Sequence, residues 1–369
     1  MRKENLVPVD QDRSRARDIG IRPGILQAGE FNGITDVPGV KVGHSTIRLG
    51  RDVRTGVTAI LPHNGNTFRT KVPAGVYVGN GFGKLIGITQ VQELGYLESP
   101  IVLTNTLSVW RAAEAVADFV LAQRGNEQVQ SVNVVVGETN DGILNDIRRV
   151  HVEKAHVLEA LTGASSGIVS EGSVGAGTGT VAFGFKGGIG TSSRLILHDD
   201  VRHSLGVLVQ TNFGGLLVMD GLPIGRDLNH HFLDGNTGDG SVMIVVATDA
   251  PLDARQLTRL AKRAMLGISR TGSPIANGSG DYAIAFSVAS LQNTTRTKDI
   301  HVRDLADDEL TPMFQAAVEA TEEAVYNSLL MATTTTGFKG VTIESLPLSV
   351  VERSMITHRY HSNSAFRRY

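Results

Sequence analysis

The chain has 369 residues and 41% of them are hydrophobic, so it is long enough to bury a substantial core. Its 35 lysines and arginines stand against 37 acidic residues, and the net charge of -2 excludes the basic field that a nucleic-acid-binding protein presents. The absence of cysteine excludes disulfides, thiolate metal ligands and cysteine nucleophiles.

The segment 1–22 is mostly charged or polar and lacks the apolar run of a signal peptide. No uninterrupted apolar stretch of about 18 residues occurs anywhere in the sequence, so no membrane span is predicted. We therefore expect a cytoplasmic protein with no membrane partner and no nucleic-acid partner.

Six predicted strands follow one another along the chain, and several are apolar at nearly every position. Such runs are typical of sheets that are buried on both faces. The runs are residues 56–61, 101–104, 132–136, 205–210, 242–247 and 282–287. Since no linker-like stretch divides the chain, we expect one compact α/β domain with its sheets between helices.

Three helices are predicted between these strands. Residues 108–124 form an amphipathic pattern, and residues 249–268 begin with Pro251 in the first turn, where proline is tolerated. A third helix lies within residues 305–331 and ends before Gly337. The basic and polar tail, residues 353–369, is predicted to be disordered or to pack on a partner subunit.

Two glycine-rich turns lead directly into predicted strands. Residues 234–241 have the sequence DGNTGDGS, and residues 277–281 have the sequence NGSGD. Each turn places a serine beside Gly and Asp at the start of a strand, so the two turns could form one site. The local pattern alone favours ordinary strand entries whose Ser and Asp side chains bond to their own backbone.

Two other polar segments are poorer candidates for chemistry. The glycine-rich run 172–190 lacks both the Gly-Lys-Ser/Thr ending of a phosphate loop and a GxGxxG pattern, which disfavours nucleotide binding. The second segment contains histidines and aspartates whose spacing matches no helical ligand pair, so we expect no metal site and no cofactor. Its members are His198, Asp199, Asp200, His203, Asp227, His230 and His231.

Ordered motifs along nearly the whole chain resemble the DmpA and β-peptidyl aminopeptidase family, whose members have the layout of N-terminal-nucleophile hydrolases with a different strand connectivity. The motifs are residues 33–46, 104–110, 137–142, 184–191, 209–214, 240–252, 277–281 and 324–337. The resemblance implies a four-layer α/β/β/α sandwich. It also implies self-cleavage between Gly240 and Ser241, which divides a single catalytic domain, residues 1–369, into an α chain 1–240 and a β chain 241–369.

The same resemblance implies a role for each matching residue. Ser241 corresponds to the nucleophile and Asn212 to the oxyanion-hole donor, while Ser279 and Asp281 correspond to the pair that supports the nucleophile. Glu138 corresponds to the carboxylate that binds the free amino group of the substrate. The alternatives are an amide that caps a turn for Asn212 and a structural salt bridge for Glu138.

Asn140 departs from the family pattern, because an aromatic or apolar residue is expected two positions after Glu138. The change is either a harmless difference in the pocket wall or an altered preference for the amino acid. Both interpretations stay open from the sequence.

These residue types suit an aminopeptidase. A serine hydroxyl needs a base, and cleavage before Ser241 would create one, because an α-amino group titrates near roughly 7.7 to 8.0. Gly240, which has no Cβ, would permit a strained backbone at the cut. An Asn amide can donate to an oxyanion, and a carboxylate selects substrates with an ammonium group.

The predicted activity is the release of N-terminal amino acids from small peptides, aminoacyl amides or esters, and the sequence leaves open whether these are L-α-, D-α- or β-amino acids. The resemblance further implies a homotetramer of processed heterodimers. Two alternatives are an acyl transferase like the ornithine acetyltransferases, which use a threonine nucleophile, and an inactive homologue with a binding function.

Overall fold

The structure is a computed structural model that describes residues 13–198, 200–230, 240–289, 292–293 and 304–365, with the backbone alone for 292–293 and 359–365. Within these residues the strands are β1 Lys41–Leu49, β2 Val53–Leu61, β3 Thr70–Gly81, β4 Leu85–Ile86, β5 Tyr96–Leu97, β6 Ile101–Asn105, β7 Val135–Thr139, β8 Val181–Ala182, β9 Phe185–Lys186, β10 Ile189–His198, β11 Val201–Asn212, β12 Ser241–Thr248, β13 Gly280–Ser287, β14 Gln292–Asn293, β15 Thr335–Thr336 and β16 Thr342–Ile343. The α-helices are α1 Ile88–Leu94, α2 Val109–Leu121, α3 Lys154–Thr162, α4 Ile224–Asp227, α5 Ala254–Arg270, α6 Thr311–Leu330 and α7 Leu348–Ala365.

Two large sheets organise the described part of the chain. The first has five strands in the order β1-β2-β6-β7-β4. The second has seven strands in the order β10-β11-β12-β13-β3-β14, with β5 paired to β3. In the second sheet β12 is antiparallel to β11 and parallel to β13, so the end of β11 meets the beginnings of both other strands.

The packing of these sheets confirms the predicted four-layer α/β/β/α sandwich. Successive side chains of a strand point to opposite faces, and β12 accordingly supplies two different clusters of buried residues. Val242, Ile244 and Val246 pack in the cluster that contains α5 and α6, whereas Met243 and Val245 pack between the two sheets. A third cluster joins the first sheet to α2 and α3. Burial on both faces explains why the strand sequences are almost continuously apolar.

Two of the predicted elements have boundaries that differ from the prediction. Helix α5 begins after Asp253, whose side chain accepts a hydrogen bond from the Gln256 N–H at 2.7 Å, so Pro251 precedes the helix. Strand β7 begins at Val135, in register with the first residue of β6, Ile101, and extends to Thr139. Glu138 therefore lies inside a strand.

The C-terminal segment also differs from the prediction of a disordered or subunit-binding tail. It forms α7, on which Val351 is fully buried and Met355 is 8% exposed, and both belong to the cluster around α5 and α6. The Ser354 hydroxyl donates to Asp227 Oδ2 at 2.6 Å. The described part of the tail is thus an amphipathic helix that packs on its own chain.

Candidate functional site

A cavity of about 460 Å³ opens where β11, β12 and β13 meet. Two sets of residues line it: predicted site residues, and residues for which no role was predicted. The first set is Glu138, Asn140, Asn212, Gly240 and Ser241, and the second is Phe82, Lys84, Thr106, Gly142, Ile143, Val181, Gly184, Phe213 and Gly278. The preceding part of the predicted glycine-rich turn, residues 234–239, lies outside the described residues.

Ser241 is the first residue of β12 and lies in register with Asn212 on one side and Gly280 on the other. The Gly280 N–H donates to Ser241 Oγ at 3.2 Å and also to the carbonyl oxygen of Gly240 at 3.2 Å. One backbone donor therefore contacts both the predicted nucleophile and the carbonyl of the bond that it is predicted to cut.

Gly240 is required by a close approach between two segments of backbone. A Cβ at this position would lie 2.2 Å from the carbonyl oxygen of Asn212 and 2.4 Å from Phe213 Cα. This close approach gives a reason for glycine at the predicted cut that is separate from the strained backbone expected from the sequence. Because glycine has no side chain, the backbone that leads into β12 can pack directly against the end of β11.

Ser279 and Asp281 flank Gly280, the residue in register with Ser241, and neither lines the cavity. The Ser279 hydroxyl donates to Asp281 Oδ1 at 2.7 Å, and both residues are buried. Burial raises the pKa of Asp281 to about 6, while the hydrogen bond from Ser279 opposes this shift. The pair can hold or transfer a proton next to Ser241 without contacting solvent.

Asn212 ends β11 with a fixed side-chain orientation. Its Oδ1 accepts a hydrogen bond from the Val181 N–H at 3.0 Å. Since the oxygen is held in this way, the NH₂ group is the end of the amide that can donate to a developing oxyanion. A second amide connects the two sheets nearby, because Gln210 Nε2 donates to the Thr104 carbonyl and to Thr139 Oγ1 at 3.0 and 2.8 Å.

Glu138 presents a buried carboxylate to the cavity. Its Oε1 accepts a hydrogen bond from the Lys84 N–H at 2.9 Å and lies 3.6 Å from Lys84 Nζ. Its Oε2 accepts a short hydrogen bond from the Thr106 hydroxyl. The sequence analysis predicted neither partner. Thr106 lies inside the family motif 104–110, whereas no local pattern indicated Lys84.

Asn140 lies at the exposed rim of the cavity, where its Oδ1 accepts a hydrogen bond from the Gly142 N–H at 2.9 Å. Two apolar side chains also line the cavity while remaining open to solvent, since Phe82 is 73% exposed and Ile143 is 43% exposed. The rim thus combines one short polar turn with an apolar surface.

The segments judged poor candidates are explained by other contacts. Three of the histidines have different neighbours: His198 pairs with Glu309 and His203 with Asp249, while the ring of His230 packs on Phe185. Asp199 and His231 lie outside the described residues. Across the described ranges no group of three or more His, Asp or Glu side chains could hold a metal ion.

Glycines of the run 172–190 occur where two stretches of backbone touch, since a Cβ on Gly188 would lie 2.3 Å from the Gly172 carbonyl oxygen. None of the described helices is both long and apolar enough to cross a bilayer.

Comparison with known proteins places this geometry in a family. The sequence profile of peptidase family S58 matches residues 32–343. A β-peptidyl aminopeptidase BapA from Sphingosinicella microcystinivorans is 42% identical over 358 residues, which cover 90% of this chain and 89% of the relative.

Two solved structures have similar folds. A β-aminopeptidase from a Burkholderia species has a TM-score of 0.86 at 38% identity and covers 93% of this chain and 99% of its own. An L-aminopeptidase D-Ala-esterase/amidase from Ochrobactrum anthropi, described as a variant of the Ntn hydrolase fold, has a TM-score of 0.86 at 36% identity, with 93% and 98% covered. The family match spans the sandwich and every residue that lines the cavity, and on these grounds the chain belongs to peptidase family S58.

Proposed function

We propose that this chain is a self-processing serine aminopeptidase and amidase that releases N-terminal amino acids from small peptides, aminoacyl amides or esters. One observation carries the proposal: Ser241, Asn212 and Glu138 line a single cavity, with Ser241 Oγ and the Gly240 carbonyl bonded to one N–H. The similar proteins support it, since their names describe β-peptidyl, L-aminopeptidase and D-Ala-esterase/amidase activities.

In the self-cleavage step, Ser241 Oγ attacks the Gly240 carbonyl carbon. The Gly280 N–H lies 3.2 Å from the oxygen that becomes negative, so it is placed to stabilise that charge. The Ser241 nitrogen takes up a proton and leaves as an amine, which produces an ester between Gly240 and the serine oxygen. Water hydrolyses this ester, and the products are an α chain 1–240 and a β chain 241–369 of one catalytic domain.

In turnover, the freed amine of Ser241 acts as the base that removes the proton from its own hydroxyl. An α-amino group titrates near roughly 7.7 to 8.0, so an appreciable fraction is neutral at pH 8. Ser279 and Asp281 orient this amine and relay its proton. Asn212 donates to the oxyanion, and Glu138 binds the ammonium group of the substrate.

The two alternative functions are not favoured. An ornithine-acetyltransferase-like enzyme uses a threonine nucleophile, whereas this chain has Ser241, and its family is one of peptidases. A binding protein without activity would not need a carboxylate, an amide and a serine hydroxyl around one cavity.

We also propose a cytoplasmic location and assembly into a homotetramer of processed heterodimers. A chain without cysteine gains nothing from an oxidising compartment, which is consistent with the cytoplasm. Light scattering of the purified protein measures the assembly directly.

Intact mass spectrometry of purified protein tests the self-cleavage. We expect two chains for the wild type, the second beginning at Ser241, and one uncut chain of 369 residues for Ser241→Ala. Hydrolysis of an aminoacyl p-nitroanilide should accompany the two-chain form alone. An uncut wild-type chain that hydrolyses the substrate, or a new terminus elsewhere, would refute this mechanism.

A further inference from the structure

We propose that Lys84 makes this site selective for acidic aminoacyl units, in which the acyl group carries a carboxylate beside its ammonium group. Aspartyl units have this chemistry, whether the bond to be cut is at the α-carbonyl or at the side-chain carbonyl. The inference rests on the proposed function, because it assigns the substrate class of the same cavity.

Lys84 and Glu138 form an ion pair in the wall of the cavity. The Lys84 backbone N–H holds Glu138 Oε1 at 2.9 Å, and the Lys84 ammonium lies 3.6 Å from the same oxygen. The carboxylate is buried, whereas the lysine side chain is 40% exposed. The backbone contact keeps the lysine at the site, while its exposed ammonium can follow a ligand.

The charges of the cavity decide which substrates fit. Among the described residues that line it, Lys84 and Glu138 are the ionisable side chains, and their charges cancel. Cleavage would add one amine on Ser241 and one carboxylate on Gly240, which leave this balance unchanged. A substrate with a single ammonium group would place two cations against the one carboxylate of Glu138. A substrate that also carries a carboxylate gives four charges of alternating sign, with its ammonium on Glu138 and its carboxylate on Lys84.

Gly83 connects the surroundings of this pair with those of Ser241. A Cβ on Gly83 would lie 3.2 Å from Glu138 Oε1 and 3.1 Å from Gly280 Cα, and the Gly280 N–H donates to Ser241 Oγ at 3.2 Å. Glu138 and Gly280, whose N–H contacts the attacking oxygen, therefore both lie close to Gly83. A unit with its ammonium and carboxylate on the same carbon, or on adjacent carbons, can contact both charges while its carbonyl faces Ser241.

The test compares p-nitroanilides that differ by one charge. The processed wild type, Lys84→Met, Lys84→Arg and Lys154→Met are assayed with α-aspartyl and β-aspartyl p-nitroanilide. The neutral counterparts are the same compounds with the free carboxylate replaced by a carboxamide. Lys154 is the matched control, because its ammonium pairs with Asp118 on the surface and it does not line the cavity.

For the wild type we expect kcat/KM to be about tenfold higher for at least one aspartyl substrate than for its carboxamide, mainly through KM. Lys84→Met should lower the value for the acidic substrate and raise it for the neutral one, which removes the preference. Lys84→Arg and Lys154→Met should keep it. Comparison of the α-aspartyl with the β-aspartyl substrate shows which linkage the cavity accepts.

Equal kcat/KM for acidic and neutral substrates in the wild type would overturn the proposal. So would an equal loss for both substrates in Lys84→Met, since a purely structural lysine would affect them alike. A higher rate with an apolar unit, such as leucyl p-nitroanilide, would assign the pocket to Phe82 and Ile143 instead. Hydrolysis of neutral substrates without an acidic preference refutes this inference alone, whereas no hydrolysis of any aminoacyl substrate refutes the proposed function.

Discussion

The position of the Asp281 carboxyl group suits proton transfer and lowers the stability of the fold when the group is ionised. It is buried, and the groups that donate hydrogen bonds to it are neutral, namely the Ser279 hydroxyl and the Val242 backbone N–H. A buried carboxylate without a cationic partner keeps its proton to higher pH than a solvated one. Such a group is suited to taking up and releasing a proton near neutrality beside the amine that the proposed cleavage would create.

Asp281→Asn is expected to stabilise the uncut protein at high pH. The pKa of Asp281 is about 6 in the folded chain against an ordinary 3.8, so the folded state binds the proton more tightly. Stability therefore falls as pH rises from about 4 to above 6. In a Ser241→Ala background, the gain from Asp281→Asn should grow by roughly 2 to 3 kcal/mol between pH 4 and pH 8.

Urea unfolding of the single and double variants at pH 4, 5, 6 and 8 measures this difference. Keeping Ser241→Ala in both proteins prevents cleavage from changing the charge next to Asp281. If the two free energies of unfolding stay parallel over this range, the carboxyl does not titrate as described. In the Ser241-containing protein, Asp281→Asn should slow hydrolysis, which separates its stabilising effect from its role in the reaction.

At the level of elements, the entry into β12 depends on a close contact between two strands. Gly240 lies against the backbone at the end of β11, and this contact holds Ser241 in register with Asn212. The predicted nucleophile and the predicted oxyanion donor are thus placed side by side by the strand ladder.

Gly240→Ala is expected to slow self-cleavage by about a hundredfold, because its methyl group would force apart the end of β11 and the start of β12. Gly81→Ala is the matched control: its Cβ would lie 3.8 Å from Val78 Cγ1, an ordinary contact. The fraction of cut chain on a denaturing gel over time gives the rate. Equal rates for both variants would show that the close approach has no part in cleavage.

The sequence predicted the elements better than it predicted contacts between them. Apolar runs such as residues 242–247 indicated strands buried on both faces, because burial on both sides leaves no polar face in the pattern. Helix α5 was placed too early, since the proline signal at Pro251 was given more weight than the pairing of Asp253 with Gln256. The structure shows that this capping pair sets the start of the helix.

The residues of the site were predicted unevenly for a physical reason. Ser241 and Asp281 follow glycine-rich turns, which are visible in the sequence. Lys84 comes to Glu138 because it lies in the short connection between β3, which pairs with β13, and β4, which pairs with β7. Such pairings join segments far apart along the chain, so no local pattern could reveal this ion pair.

On the scale of the whole molecule, a buried charge network joins the two chains that cleavage would create. Arg194 lies in residues 1–240, and its guanidinium is 3.0 Å from Glu319 and 2.9 Å from Glu323, both in residues 241–369. All three side chains are fully buried. Arg17 adds a further bond to Glu323 at 2.8 Å, and β11 pairs with β12 across the cut.

Arg194→Met is therefore expected to weaken the association of the processed chains by about 3 to 5 kcal/mol, because two carboxylates lose their buried partner and one cation, Arg17, remains beside Glu323. The measurement is the urea concentration at which a tagged chain 1–240 releases chain 241–369 on a size-exclusion column. Arg255→Met is the control: its partner Asp307 is in the same chain, both side chains are exposed, and the effect should stay below about 1 kcal/mol. If both variants release the chain at the wild-type urea concentration, strand pairing and apolar packing alone hold the halves together.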